Sequence, residues 1–400
     1  MTRPASSVGR GDAHNFGRRV RIEGELVRKP RTVFWEGMLL DPRSPLRAAL
    51  GAIDDPFGQI DFLPTIRVES ESPRSGGTVE RVALDPIGAL DEEARHALAR
   101  TIGRATALYA WLGLSDLHWE NLVLGRGADG RPVFAPLDVE IVLADASSPT
   151  ETKLVPDPDP EYAATSRHAA GLRRALPFLG KPVAGRDLAA VVHAYDATLR
   201  ALHRARREIA RSIATAEGTR DAPIRVLLRG TDEYVAADPA SLWPPLLDEE
   251  REQLARGDVP YFFRLYGREG IHHFDDPALT SWSTLPLEGD VPQLEPLLSL
   301  EKDLASRSRR TLREVGAFAL IGALDHRSLD GTYETDGLRL ALGHERTVLI
   351  WDDGRELEAP RDASSIVASI YAACRCGEVA EPLVPETTTC APLDVDRGPW

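Results

Sequence analysis

The chain has 400 residues, of which 42% are hydrophobic and 28% are charged, as is usual for a globular protein long enough to bury a large core. Its net charge of -14, from 48 Lys and Arg against 62 Asp and Glu, argues against nucleic-acid binding unless a basic patch occurs locally. No apolar run reaches the length of a membrane span and the start lacks a signal-peptide core, so we expect a cytoplasmic protein.

The N-terminal region predicts a tight hairpin, because Val20, Ile22 and Leu26 alternate around Gly24 and Pro30 ends the second strand. Lys29 then lies at a strand end, where an ammonium group can reach the phosphates of a nucleotide, as the strand lysine of kinases does. Lysine is rare in this Arg-rich chain, which favours this role over that of an ordinary surface lysine. The predicted hairpin contains no Gly-x-Gly-x-x-Gly loop, so a phosphate-covering element there would be of another kind.

A helix is predicted from Asp91 to Trp111, with Asp91 as the cap and apolar residues recurring every three to four positions until Gly113. Just past it, Asn121 follows Asp116 by five positions, the spacing between the catalytic Asp and the metal-binding Asn of a kinase loop. Taken alone, this spacing is also that of an ordinary polar turn.

Short apolar runs predict strands at Leu122–Leu124 and at Val133–Leu143. On the second strand Asp138 and Glu140 would point to the same face, which must then be solvated or meet cations. One carboxylate and one Asn amide are the hard oxygen ligands that Mg²⁺ prefers. Asp138 and Asn121 are therefore the candidate magnesium ligands.

Further along, the chain is mostly helical between Tyr162 and Ala216, with a long helical pattern from Ala189 to Ala214. Arg225 and Arg229 then flank an apolar run, and their guanidinium groups either bind phosphate or simply face water on a strand.

The remaining sequence predicts helices and strands without a further site. A helix is expected to open at Glu249 and close at Gly257, a second to span residues 301–325, and strands to cover residues 331–358. Adjacent His272 and His273 would point to opposite faces of a strand, so a metal site is not expected there.

A last helix is predicted near Ser364–Cys374. Three late cysteines lack zinc-ligand spacing and are expected to be reduced thiols, with a weak redox or metal site as the open alternative: Cys374, Cys376 and Cys390.

Six elements occur in an order that resembles the dehydratase region of LanM-type lanthipeptide synthetases, over roughly residues 11 to 300. These elements are Asp12-x-His14, Lys29-Pro30-Arg31, Asp116-Leu117-His118-x-x-Asn121, Asp138-x-Glu140, Arg225-x-x-x-Arg229-x-Thr231 and Gly257-Asp258-Val259-Pro260-Tyr261-Phe262. Enzymes of that family phosphorylate Ser and Thr of a precursor peptide with ATP and Mg²⁺ and then eliminate the phosphate, leaving dehydroalanine or dehydrobutyrine. The resemblance implies the same ATP, Mg²⁺ and precursor-peptide requirement here.

The resemblance also implies residue roles. Catalytic roles fall to Asp116, His118, Asp12, His14, Arg225 and Thr231. Cofactor-binding roles fall to Lys29, Asn121, Asp138 and Glu140, with Asn121 and Asp138 as the Mg²⁺ ligands. Phosphate binding falls to Arg225 and Arg229.

The fold implied is α+β, a lipid-kinase-like or protein-kinase-like two-lobed fold with additional helices and a small C-terminal α+β extension. We expect a β-rich first lobe over residues 1–90, a catalytic and elimination lobe over 91–300, and an extension over 301–400 that could bind the leader peptide. The zinc-binding motifs of the LanM cyclase are absent from the sequence, so a stand-alone dehydratase similar to those found with proteusin-type peptides is expected, working alongside other peptide-modifying enzymes. A kinase that stops at phosphorylation and an inactive peptide-binding scaffold are the alternatives.

Overall fold

The computed structural model describes residues 10–144, 146, 148–156, 168–230, 233–234, 245–286, 304, 310–324 and 329–360. Helices and several antiparallel sheets are mixed along the chain. None of the helices in these ranges combines the length and the apolar character that crossing a membrane requires.

The N-terminal sheet has five antiparallel strands in the order β1-β2-β3-β5-β4. Its strands are β1 (Arg10–His14), β2 (Arg18–Glu23), β3 (Leu26–Arg31), β4 (Val68–Ser70) and β5 (Ser75–Glu80). The predicted hairpin is confirmed, because β2 pairs with β3 around Gly24, whose φ of 65° suits a glycine turn. Strand β3 runs one residue past Pro30 and ends at Arg31.

The helices are α1 (Phe34–Leu40), α2 (Pro45–Gly51), α3 (Glu92–Leu112), α4 (Leu176–Leu179), α5 (Gly185–Arg204), α6 (Arg206–Ala214), α7 (Asp248–Ala255) and α8 (Arg310–Ala323). The long helix expected over Ala189–Ala214 is divided into α5 and α6 at Ala205. The predicted helix near Ser364–Cys374 and the three cysteines lie outside the described residues.

Helix α3 is the central element of the core, and its prediction is confirmed. The Asp91 carboxylate caps it by accepting from the Ala94 amide at 2.8 Å, and Gly113 ends it in the left-handed region with φ of 61°. All residues from Thr101 to Leu112 are buried, as expected for a helix covered on every side. The buried C-terminus of α3 therefore fixes the position at which the following loop begins.

The remaining strands form one hairpin and two four-stranded antiparallel sheets. The hairpin is β6 (Leu122–Arg126) with β7 (Pro132–Pro136). The first sheet, in the order β11-β10-β9-β8, contains β8 (Ile224–Val226), β9 (Phe262–Arg264), β10 (His272–Phe274) and β11 (Trp282–Thr284). The second is a meander of β12 (Gly331–Thr335), β13 (Leu338–Leu342), β14 (Arg346–Trp351) and β15 (Glu356–Pro360).

The single strand expected over Val133–Leu143 was wrong in its extent. Strand β7 ends at Pro136, and the Leu137 amide makes one further hydrogen bond to the Asn121 carbonyl, at 2.7 Å, in register with the hairpin. Asp138 and Glu140 consequently lie in the segment after the strand and do not share a strand face. Both carboxylates contact the guanidinium group of Arg31.

The main hydrophobic core continues from the N-terminal region to the C-terminal meander. It includes Trp35 of α1, Leu108 of α3, Leu188 of α5 and Leu340 of β13. A smaller aromatic cluster supports the β8–β11 sheet, where the rings of Phe263 and Phe274 lie 4.5 Å apart.

Gly103 sets the distance between α3 and α5. A Cβ at this position would lie 2.2 Å from the Val191 carbonyl oxygen, so Gly103→Ala must push two buried helices apart. We predict that this change lowers the free energy of unfolding by about 2 kcal/mol, measured by urea denaturation. Gly51→Ala is the matched control, because Gly51 is also helical and a Cβ there meets nothing within 4 Å. Equal stability of the two variants would contradict close packing at Gly103.

Candidate active site

The candidate site begins with a buried ion pair between β3 and α1. The Lys29 ammonium contacts the Glu36 carboxylate, and the side chains of Lys29 and Glu36 are only 9% and 2% exposed. Burial raises the pKa of Glu36 although Lys29 attracts its charged form. Because a buried charge is costly without a partner, each group holds the other in place.

Leu137 links this lysine to the segment that follows α3. Its carbonyl accepts from Lys29 Nζ at 2.8 Å, while its amide donates to the Asn121 carbonyl. Two candidate cofactor-binding residues, Lys29 and Asn121, thus both form hydrogen bonds with the backbone of Leu137, the residue immediately before Asp138.

Arg31 joins the two acids that the sequence singled out. Its guanidinium contacts both Asp138 and Glu140, and it also points to the face of β3 that carries Lys29, two residues before it. Burial opposes ionisation of Asp138, but Arg31 and then Lys29, 3.7 Å away, outweigh it and hold the pKa of this carboxyl well below its usual range. Asp138 is therefore charged across the physiological pH range.

Arg225 enters the same cluster from β8. Its Nη1 lies 3.1 Å from Glu140 Oε2, and its backbone amide donates to the Glu140 carbonyl at 3.0 Å. Its guanidinium carbon stands 5.5 Å from the centre of the Tyr261 ring. The buried Nε of Arg225 has no hydrogen-bond partner among the described residues, so this N–H group can still donate a hydrogen bond.

His14 lies at the edge of this cluster, on β1. Its Nδ1 is 3.0 Å from the Val259 carbonyl, and since a carbonyl only accepts, Nδ1 carries the proton and Nε2 has the free lone pair. Burial, followed by the positive charge of Arg225, lowers the pKa of His14 to about 4. The imidazole is therefore neutral at pH 7 and able to accept a proton at Nε2.

The loop after α3 holds Asp116 in a strained conformation. Asp116 has a φ of 61°, in the left-handed region that non-glycine residues seldom adopt, and its carbonyl accepts from Asn121 Nδ2 at 3.0 Å. Its carboxylate lies 2.9 Å from Nζ of Lys153, which itself has a φ of 60°. Backbone bonds from Ser115 to Ile141 and from Leu117 to Thr152 fix the loop on both sides.

Protein side chains supply only part of the oxygen ligands that a magnesium ion needs. Asn121 uses its amide nitrogen on Asp116 and keeps its amide oxygen, while Asp138 contributes a charged carboxylate. No group of three or more His, Cys, Asp or Glu side chains placed to hold a metal occurs within the described ranges. Mg²⁺ usually keeps several waters and binds through one or two carboxylates plus phosphate, so Asn121 and Asp138 stay the candidate ligands.

Two backbone donors near the pocket are already bound to a carboxylate. The turn between β1 and β2 runs through Asn15 and Phe16, both with positive φ, and the amides of Phe16 and Gly17 donate to Asp258 at 2.8 and 2.6 Å. Such consecutive amides form an anion-binding nest. Here the nest anchors the hairpin to the segment before Tyr261.

The other candidate residues lie apart or outside the described part. His118 is half-buried at the start of the 3-10 turn Trp119–Asn121, close to the catalytic-loop residues in the chain. Arg229 is buried and bound to Glu250 at 3.1 Å and to the Pro245 carbonyl at 3.0 Å, so its phosphate role stays a prediction. Thr231 and the side chain of Asp12 lie outside the described residues.

No family model and no curated protein matches this chain. Sequence reasoning gave no individual role to four residues of the candidate site: Arg31, Glu36, Lys153 and Asp258. Arg31 could have been found, because residues two apart on a strand share a face and Lys29 was already a candidate. Lys153 carries no comparable signal, since it is brought to Asp116 by a loop.

We predict that Glu36→Gln lowers the free energy of unfolding by about 3 kcal/mol, because it removes the nearer of the two carboxylates that meet the buried Lys29 ammonium. Urea denaturation at pH 7 measures the change. Glu71→Gln is the matched control: it removes the partner of Arg28 from an exposed pair at 2.7 Å and should change stability by less than about 1 kcal/mol. Similar small effects in both variants would show that Lys29 and Glu36 do not depend on each other.

Proposed function

We propose that this protein dehydrates Ser and Thr residues of a ribosomally synthesised peptide, first by ATP- and Mg²⁺-dependent phosphorylation and then by elimination of phosphate. One observation carries the proposal. Glu140 contacts Arg31 on one side and Arg225 on the other, and Arg31 also contacts Asp138. The groups expected to serve the two half-reactions thus form one continuous cluster of charges.

The order of elements supports a kinase-like two-lobed fold for this reaction. A lysine on the third strand pairs with a glutamate of the next helix, as the β3 Lys and αC Glu of protein kinases do. Downstream, a buried helix leads to Asp116 and Asn121, a two-stranded hairpin follows, and Asp138 comes directly after it. We assign β1–β5 with α1 to the smaller lobe and α3 with the hairpin to the larger one.

Phosphoryl transfer then follows from the Asp116 loop. The Asp116 carboxylate orients the peptide hydroxyl and takes its proton as the oxygen bonds to the γ-phosphorus of ATP and the bond to the leaving ADP breaks. Lys153, 2.9 Å from Asp116, supplies positive charge beside the transferred group. Bound Mg²⁺, held by Asn121 and Asp138, would neutralise phosphate oxygens. Lys29 serves as a further point charge, with Glu36 fixing its position.

Elimination uses the opposite side of the cluster. The neutral Nε2 of His14 removes the α-proton of the phosphorylated residue, the electron pair forms the Cα–Cβ double bond, and the Cβ–O bond breaks to release inorganic phosphate. Arg225 binds the departing phosphate, for which its unpartnered Nε is suited. Thr231, on the same segment of the chain, is included in this step by the family resemblance.

We predict that Arg225→Ala accumulates phosphopeptide. Its elimination step should slow by about 100-fold, since a charge-stabilising donor is lost, while phosphorylation continues. A candidate Ser/Thr-containing precursor peptide is incubated with the variant, ATP and Mg²⁺, and the products are followed by mass spectrometry. Arg220→Ala, an exposed arginine nearby in the chain, is the control and should dehydrate normally.

The same assay separates the alternatives. Normal dehydration by Arg225→Ala would contradict the elimination role. Phosphopeptide as the final product of the unaltered protein would make the chain a kinase that stops at the first step, and binding without any mass change would make it a scaffold.

Asp116→Asn is predicted to leave the peptide unmodified, with phosphorylation slowed at least about 100-fold because the proton acceptor is lost.

Lys153→Met should lower the phosphorylation rate by about 100-fold, whereas Lys181→Met, at an exposed lysine, should have no effect. Asp116→Asn and Lys153→Met should both still eliminate phosphate from a synthetic phosphopeptide supplied directly. Loss of that second reaction in both would mean that the substitutions disturb the whole pocket.

The lowered pKa of His14 gives the elimination step a defined pH dependence. Only the neutral imidazole accepts a proton, so activity is present above the pKa of about 4 and is lost below it. We predict that elimination from a synthetic phosphopeptide shows no histidine inflection between pH 6 and 8. An inflection near the ordinary histidine value of about 6.5, which disappears in His14→Gln, would contradict the buried environment described here.

A further inference from the structure

A basic cavity lies on the exposed face of the N-terminal sheet, on a chain whose net charge is -14. It has a volume of about 630 Å³, and four arginines line it: Arg18, Arg19, Arg21 and Arg28. Glu71 is the carboxylate that also lines it. The local charge is therefore opposite in sign to that of the protein as a whole.

Two of these arginines oppose each other across the sheet. Arg21 of β2 and Arg28 of β3 are direct cross-strand partners, so their side chains share a face and repel each other. Arg28 pairs with Glu71 at 2.7 Å, but both side chains are about half exposed and the pair is weak. Arg21 has no ion pair or side-chain hydrogen bond with any described residue. The repulsion is thus only partly offset within the described chain.

An apolar side chain extends the same surface. Leu26 is 45% exposed and pairs across the strands with Glu23, two residues from Arg21, which places it on the face that carries Arg21 and Arg28. Glu23 itself lies past the cavity at the end of the hairpin. Basic groups beside an exposed leucine suit a polypeptide with carboxylate and apolar side chains better than a nucleic acid, which offers no aliphatic group along its phosphates.

We propose that this basic face, formed by Arg19, Arg21, Arg28 and Leu26, binds an acidic segment of a polypeptide. Carboxylates of the bound segment contact the guanidinium groups, and one of its apolar side chains covers Leu26. Lys29 also lines the cavity, but the side chains of Arg28 and Lys29 point to opposite faces of the sheet because side chains alternate along β3. The binding proposal holds whether or not the protein phosphorylates a peptide.

Equilibrium binding without ATP tests this surface directly. The probe is a fluorescein-labelled peptide of alternating Glu and Leu residues, titrated by fluorescence anisotropy at low salt. The double variant Arg21→Gln and Arg28→Gln should bind at least about tenfold more weakly. Arg339→Gln with Arg346→Gln is the matched control, because both are exposed strand arginines and the net charge changes equally. The control should bind as the unaltered protein does, and added salt should weaken binding.

Three results would overturn the proposal: no binding of the acidic peptide by the unaltered protein at low salt, an equal loss in the control variant, or tighter binding of a single-stranded oligothymidylate than of the peptide. The last would identify a nucleic-acid surface. Because the assay contains no ATP and measures no reaction, none of these outcomes bears on the dehydratase activity.

Discussion

Arg31 sets the constraint on which the pocket depends. Its guanidinium is buried, and a buried cation is stable only if carboxylates meet it. Asp138 and Glu140 meet it from the segment after β7, which ties the hairpin side of the pocket to strand β3. Glu140 then extends the network to Arg225, so a single set of ion pairs positions groups from three distant parts of the chain. The proposed chemistry therefore depends on contacts that also stabilise the fold.

Backbone strain marks the other side of the pocket. Asp116 and Lys153 both adopt positive φ values, and their side chains meet at 2.9 Å. Such conformations cost free energy and persist only where neighbouring contacts enforce them. Here the enforcing contacts are backbone hydrogen bonds from Ser115 and Leu117 to the segments that follow, which hold the backbone on both sides of Asp116.

Local features of the fold were predictable from the sequence, and distant contacts were not. The hairpin around Gly24 and helix α3 followed from alternation, capping and periodicity, which involve only neighbouring residues. The extent of β7 was wrong because the apolar pattern after Pro136 does not reveal that Asp138 and Glu140 contact the distant Arg31 guanidinium. The pairing of Lys153 with Asp116 spans 37 residues and depends on how a loop folds back.

The candidate residues show the same division. Lys29, Asn121 and Asp138 could be named from their types and spacing, and the structure places them around Leu137. Their neighbour Arg31 helps to lower the pKa of Asp138, and Glu36 pairs with Lys29, but sequence reasoning gave neither Arg31 nor Glu36 an individual role. The basic face of the sheet was likewise hidden within a composition that is acidic overall.

Glu140 is the residue through which the two proposed half-reactions meet, and its replacement tests the account most directly. Glu140→Gln keeps the shape of the side chain but removes the charge that pairs with both Arg31 and Arg225. With the fold verified by thermal denaturation, phosphorylation of the precursor peptide and elimination from a synthetic phosphopeptide are measured separately. A shared pocket predicts that both rates fall by about tenfold or more. An unchanged rate for either reaction would show that the two steps do not share this cluster.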